Sequence, residues 1–121
     1  MGFEDLLIYH IAFELATDLF NVSEGFPKEE EDTVNQLRRS SKAVYTNISE
    51  AYKKKNNKKT FVNKLNDSNT ENIECRSWLR FATSCRYISG EMYKELIDKS
   101  NKVEKLIKQS IDNPKKFEAK S

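Results

Sequence analysis

An all-α fold, an antiparallel up-down-up-down four-helix bundle, is the architecture this sequence predicts. Three observations carry that expectation. Apolar residues recur at spacings of three and four along four long segments, the period of a helix with one buried face. Only three glycines and two prolines occur in 121 residues, so helices have few places to break. No segment alternates with the two-residue period of a strand. Hydrophobic residues make up 37% of the chain and charged residues 33%. That is a lean supply for one small domain, and burial between copies of the chain is expected to supplement it.

The first helix is expected from about Asp5 to Val22, with Ile8, Ile11, Ala12, Leu15, Ala16 and Leu19 forming its stripe. Gly25-Phe26-Pro27 breaks it. The acids Glu29 to Asp32 then suit the positive end of a second helix. Thr33-Val34-Asn35-Gln36 has the form of a capping box, so that helix is expected to start near Thr33. Val34, Leu37, Ser41, Val44, Ile48 and Ala51 continue it as a heptad seam, and Lys53-Lys54-Lys55 suits its C-terminal end. A third helix from about Thr60 to Arg86 carries Phe61, Leu65, Ser68, Asn72, Cys75, Leu79 and Ala82, a seam with a polar middle. Tyr87 to Gly90 is a connector in which Ser89 is a fair N-cap. The fourth helix turns Tyr93, Leu96, Ser100, Val103, Ile107 and Ile111 inward until Asn113-Pro114 stops it. Residues 1–113 are thus expected to form the bundle and residues 114–121 an exposed C-terminal tail.

Several functions are disfavoured at once. No apolar run approaches the roughly eighteen residues of a membrane span. The start Met1-Gly2-Phe3-Glu4-Asp5 lacks the basic opening of a secretion signal, which leads to the expectation of a cytoplasmic protein. Cys75 and Cys85 would stand about 15 Å apart on one helix, beyond the roughly 7 Å a disulfide spans. Two cysteines and the lone His10 cannot make a zinc site. Glu-x-x-His pairs, which accompany inward carboxylates in di-metal bundles, are absent, so no metal or other cofactor is expected. His10 has no triad-like partner at a recognisable spacing, and the glycines are too scattered for a phosphate loop. No catalytic residue is assigned, and the protein is expected not to be an enzyme.

The charges are segregated. Residues 1–37 hold nine acids and one base, Lys28, whereas residues 38–64 hold nine bases and one acid, Glu50; the overall net charge is only +2. Arg38, Arg39, Lys42, Lys53, Lys54, Lys55, Lys58 and Lys59 are the candidate nucleic-acid-binding residues, because phosphate contacts that release counterions drive non-specific binding. Tyr52 and Phe61 lie among them and offer stacking faces. Two blander readings stand beside this one. The lysines form a solvated end that offsets the acidic segment, and Arg38 and Arg39 make salt bridges to Glu29–Asp32 between subunits. A second group, Asn47, Glu50, Glu71, Asn72 and Glu74, reads as a polar core or interface layer that fixes helix register. Phe13, Phe20, Tyr45, Tyr52, Trp78 and Tyr93 exceed what a thin bundle can seal, so some are expected between subunits.

Phe3-Glu4-Asp5-Leu6 with Tyr9, Phe26-Pro27-Lys28-Glu29-Glu30, Gln36-Leu37-Arg38-Arg39-Ser40-Ser41, and Val44 with Asn47-Ile48-Ser49-Glu50 form an ordered set. Glu71, Glu74, Trp78-Leu79, Phe81-Ala82, Cys85, Tyr87-Ile88 and Asn113-Pro114-Lys115-Lys116-Phe117 extend it over nearly the whole chain. The set resembles the bacterial four-helix-bundle proteins encoded in intervening sequences of 23S rRNA genes, sometimes filed as ribosomal proteins. Tyr9 stands where that family commonly has Trp, and Ala51 where it commonly has Gly. The resemblance implies a homo-oligomeric ring, often five-fold. It includes the accessory variability determinant of diversity-generating retroelements, which binds nucleic acid beside a reverse transcriptase. Candidate partners implied in this way are a second copy of the chain, RNA or DNA, and a protein such as a reverse transcriptase. The function expected is a non-enzymatic oligomer that binds nucleic acid through its basic surface; the alternative is a protein–protein adaptor with no nucleic-acid role.

Overall fold

The computed structural model describes residues 2–121. Four long helices form an antiparallel bundle: α1 (Leu7–Ser23), α2 (Glu31–Lys53), α3 (Lys58–Ser84) and α4 (Gly90–Asp112), with a short α5 (Pro114–Phe117) at the end. Each long helix packs on its sequence neighbours, and α4 closes the ring against α1. The expected seams are the buried ones. Leu15, Leu19, Leu37, Val44, Ile48, Leu65, Leu79, Leu96, Val103 and Ile107 are all essentially inaccessible to solvent.

Small residues shape the seams where the core is lean. Ser68 Oγ donates to the Val44 carbonyl at 2.7 Å, across the α2–α3 contact. Ser40 Oγ turns back to the Gln36 carbonyl at 2.8 Å and lies 3.1 Å from the Cys75 thiol. Burial pushes that thiol up to about 12, so Cys75 is an inert part of the core.

Helix boundaries differ from expectation in four places, one of them the start of α3 at Lys58 rather than near Thr60, because Asn57 caps the helix there. The first helix starts at Leu7, because Phe3–Asp5 closes as a 3-10 turn. The second starts at Glu31, before the expected cap at Thr33. A 3-10 turn over Lys28–Glu30 follows Pro27 and feeds straight into the helix. Thr33 is therefore inside the first turn, where its hydroxyl donates to Glu30 Oε2 at 2.8 Å. The third ends at Ser84, two residues before the expected Arg86. Arg86 takes φ 64°, Arg86 N–H reaches the Thr83 carbonyl, and Tyr87 N–H reaches the Ala82 carbonyl. This is a Schellman stop with arginine at the position glycine normally fills. Ser89 caps α4 as expected, accepting from Met92 N–H at 3.1 Å.

The largest correction concerns the C-terminus. Residues 114–121 are not a simple exposed tail. Pro114 starts α5, whose Phe117 is only 1% exposed and meets Phe61 edge-on at 5.0 Å. Beyond it the chain returns to its own beginning. Leu7 N–H donates to the Ala119 carbonyl at 2.8 Å, and Ser121 N–H to the Asp5 carbonyl at 3.0 Å. One apolar anchor in a polar sequence suffices because the surrounding pocket is supplied by other helices.

Candidate nucleic-acid interface

Antiparallel packing sorts the charge by pole. The connection from α1 to α2 carries Glu24, Glu29, Glu30, Glu31 and Asp32 to one end of the bundle, and the α2–α3 turn carries Lys53 to Lys59 to the other. The acids are therefore too far away to neutralise these lysines within one chain. Lys53, Lys54, Lys58 and Lys59 are exposed, and none has an ion-pair partner among the described residues. Lys55 lies 3.8 Å from Glu118 and 4.4 Å above the Tyr52 ring. Lys64 pairs with Glu50 at 2.8 Å, and the two, with Lys53 and Lys54, bound a shallow recess.

Position within the helices makes this cluster unusual. Lys53 in the last turn of α2 is favoured by the helix dipole. Lys58 and Lys59 occupy the first turn of α3, which contains no acid. Cations there face the positive end of the dipole, at a cost of about 0.3–1 kcal/mol each. Asn57 partly offsets this by capping α3, its side chain accepting from Thr60 N–H at 3.2 Å. The cap satisfies a backbone donor but supplies no negative charge, so the two lysines remain electrostatically unfavourable at this helix end.

The other basic candidates are not with this cluster. Arg38 is folded against α1: Nε donates to Ser23 Oγ at 2.9 Å, and the guanidinium sits 4.0 Å over the Phe20 ring. Arg39 crosses to α3, meeting Glu71 at 2.9 Å and Glu74 at 2.7 Å. Those two carboxylates hold Arg39 within its own chain. Lys42 is exposed on α2 beside Phe13, Phe20 and Tyr45.

The expected polar layer is likewise divided. Asn72 alone is fully buried, donating to the Ser100 carbonyl at 3.0 Å and accepting from Ser100 Oγ at 2.8 Å. Glu71 and Glu74 face Arg39 at the bundle surface, with Trp78 Nε1 donating to Glu74 at 3.3 Å. Asn47 bonds the Ala43 carbonyl of its own helix, and Glu50 serves Lys64. The five residues therefore do not meet in one layer, because the helical period turns only Asn72 squarely inward.

Arg39 holds the Glu74 carboxyl below the usual carboxylate range. Lys99 does the same for Glu14, and Asn69 with Arg76 for Glu104. A carboxyl whose folded-state pKa is depressed stabilises the fold above its unfolded pKa and loses that contribution as pH falls through the folded value. Arg39→Gln is expected to leave a smaller loss of stability on acidification below the ordinary carboxylate range. Urea midpoints measured from neutral to acid pH check this, and identical pH profiles for variant and parent would contradict it.

Among the described residues, no group of three or more His, Cys, Asp or Glu side chains is arranged to hold a metal ion. No helix among the described residues is long and apolar enough to cross a membrane. Phe13 and Phe20 on α1 are 47% and 44% exposed, and Ile73 and Phe81 on α3 are 47% and 44% exposed. Tyr45, Tyr52, Trp78 and Tyr93 are half-buried against the bundle's own core.

The family model described as 23S rRNA-intervening sequence protein matches residues 4–109. The chain belongs to that family. The crystal structure of a protein of unknown function from the S23 ribosomal protein family of Bacteroides thetaiotaomicron VPI-5482 shares its fold. The TM-score is 0.81 at 26% identity, over 88% of this chain and 100% of that one. No curated protein matches the chain. The matched span stops before α5, so the family pattern covers the lysines of the α2–α3 turn but not the docked C-terminus. Sequence reasoning missed Lys115, Lys116 and Lys120, which the docking of Phe117 and the Leu6–Lys120 bridge bring to the basic pole. The lone aromatic Phe117 after Asn113-Pro114 was the signal that could have found them.

Proposed function

We propose that this protein is a non-enzymatic, self-associating bundle that binds the phosphate backbone of RNA or DNA at its lysine-rich pole. One observation carries the reading: Lys53, Lys54, Lys58 and Lys59 stand exposed without ion-pair partners among the described residues, two of them against the dipole of the helix they begin. Unneutralised cations on a short turn release counterions when phosphate binds. Tyr52 and Phe61 flank the turn, although Phe61 is buried against Phe117 and only Tyr52 reaches the surface. Phe61 therefore leaves the stacking set, and Lys55 already lies over the Tyr52 ring. Arg38 and Arg39 are committed to intrachain contacts and leave the proposed contact set.

Self-association is supported by the exposed Phe13 and Phe20 on one side and Ile73 and Phe81 on another. Two different apolar patches suit a head-to-tail contact, and such contacts form a ring when the rotation between copies closes. A ring would align several lysine poles into one multivalent surface. The same exposed patches also favour the second reading, a protein adaptor whose partner covers them.

The test is particle mass together with binding to a fluorescent single-stranded RNA and its DNA counterpart across a salt series. Binding that weakens linearly in log–log form supports the nucleic-acid reading. Absence of binding to both at 50 mM salt, with an associated particle, would leave the adaptor reading in its place.

A further inference from the structure

The C-terminal segment lies against the proposed binding pole, and its position is fixed from several directions. Phe117 packs into the start of α3 through Phe61, which is two residues beyond Lys59. Lys120 forms an antiparallel bridge with Leu6, and Ser121 N–H bonds the Asp5 carbonyl at 3.0 Å. Glu118 reaches Lys55 of the α2–α3 turn at 3.8 Å. These contacts place Lys115, Lys116 and Lys120 around the same end of the bundle as Lys53 to Lys59. All three are exposed, and none has an ion-pair partner among the described residues.

Acids share this pole: Glu4, Asp5, Glu50, Asp112 and Glu118. Two are already engaged with lysines, Glu50 with Lys64 and Glu118 with Lys55. Asp5 also accepts from Gly2 N–H at 3.2 Å. The unpaired lysines therefore outnumber the acids left to oppose them.

We propose that the docked C-terminal segment forms a second wall of the nucleic-acid-binding face, with Lys115, Lys116 and Lys120 contacting phosphates beside those held by the α2–α3 turn. This rests on the nucleic-acid reading above. The turn supplies one cationic edge and the returning chain another, so a strand laid across the pole meets charge on both sides. Docking matters because a fixed lysine gives up less freedom on binding than one on a loose tail. Phe117, which touches no phosphate, is a positioning residue.

The experiment compares three full-length proteins with one fluorescent single-stranded RNA over 50–300 mM salt: the parent, K115Q/K116Q/K120Q, and Phe117→Ser. Each single-strand phosphate no longer engaged lowers the salt slope by about 0.7, so the triple variant should lose about two units of slope and about tenfold or more in affinity near 100 mM salt. Phe117→Ser keeps every lysine, and its affinity should also fall, because the wall is no longer held in place. A triple variant matching the parent within twofold, while reversal of Lys53, Lys54, Lys58 and Lys59 abolishes binding, overturns the second wall and leaves the binding reading standing. A Phe117→Ser protein that is folded and binds like the parent shows that docking contributes nothing, and overturns the wall as described. A parent that binds neither this RNA nor its DNA counterpart at any salt overturns both readings.

Discussion

Replacing Lys53, Lys54, Lys58 and Lys59 together with Glu is expected to reduce nucleic-acid affinity by at least about a hundredfold at 100 mM salt. Fewer counterions are released when phosphate meets fewer cations, and each new carboxylate repels it. The fold should survive. None of the four side chains has an ion-pair partner among the described residues. The dipole terms also oppose one another. Glu at position 53 weakens the end of α2, whereas Glu at 58 and 59 suits the start of α3, each by about 0.3–1 kcal/mol. A narrower variant separates binding from stability more sharply. K58E/K59E should raise the urea midpoint slightly while weakening binding. Gain of stability with loss of affinity would show that these lysines are kept at the expense of helix α3. A K58E/K59E protein that binds like the parent would remove the α2–α3 turn from the interface.

The second large effect concerns the buried core. Asn72→Leu is expected to destabilise the bundle by about 2–3 kcal/mol, although leucine is similar in size and more apolar. The substitution leaves the Ser100 hydroxyl without the Asn72 Oδ1 that now accepts from it, in a site closed to water. It also removes the donor to the Ser100 carbonyl. A buried hydroxyl deprived of its partner carries its desolvation cost alone. Ser100 can recover part of this by bonding back to a carbonyl of its own helix, as Ser110 does to Leu106 at 2.6 Å. Adding Ser100→Ala to Asn72→Leu should therefore restore much of the loss, and the coupling between the sites is measured by a double-mutant cycle in urea. Additive losses would mean that the Asn72–Ser100 pair is not the source of the effect.

The seams were legible because their period is local. Ile8 to Leu19, Leu37 to Ala51, Phe61 to Ala82 and Leu96 to Ile107 announce their buried sides through spacing alone, and those sides are buried. The pairings of charged residues were not legible in the same way. Arg39 lies 32 residues from Glu71 and 35 from Glu74. Nothing local indicates that these groups meet, because their contact depends on the register of two packed helices. The same limitation hid Arg76, which reaches α4 to bond Asn101 at 2.6 Å and Glu104 at 3.1 Å rather than pairing along its own helix. Asn72 was legible as a seam residue, but its Ser100 partner was a second seam position on another helix.

Caps were legible only in part, for a similar reason. Ser89 and the Asn113-Pro114 stop act through neighbours a few residues away, and both do what their sequence indicates. Thr33 competes with a 3-10 turn set up by Pro27, and the turn prevails. Arg86 ends α3 in a conformation that sequence preference assigns to glycine, so no local signal marked that boundary. The lysine cluster itself was plain from composition. Its separation from the acidic segment became visible only once antiparallel helices had placed the two at opposite poles.

The meeting of the two chain ends has a practical result. Asp5 and Ser121 are joined by a backbone hydrogen bond, beside the turn that carries the lysines. Whatever is appended to either extremity, an affinity handle or a reporter, emerges over that turn and shades it. A handle inserted instead in the Gly25–Pro27 bend would leave from the far side of the molecule and keep the cationic pole uncovered.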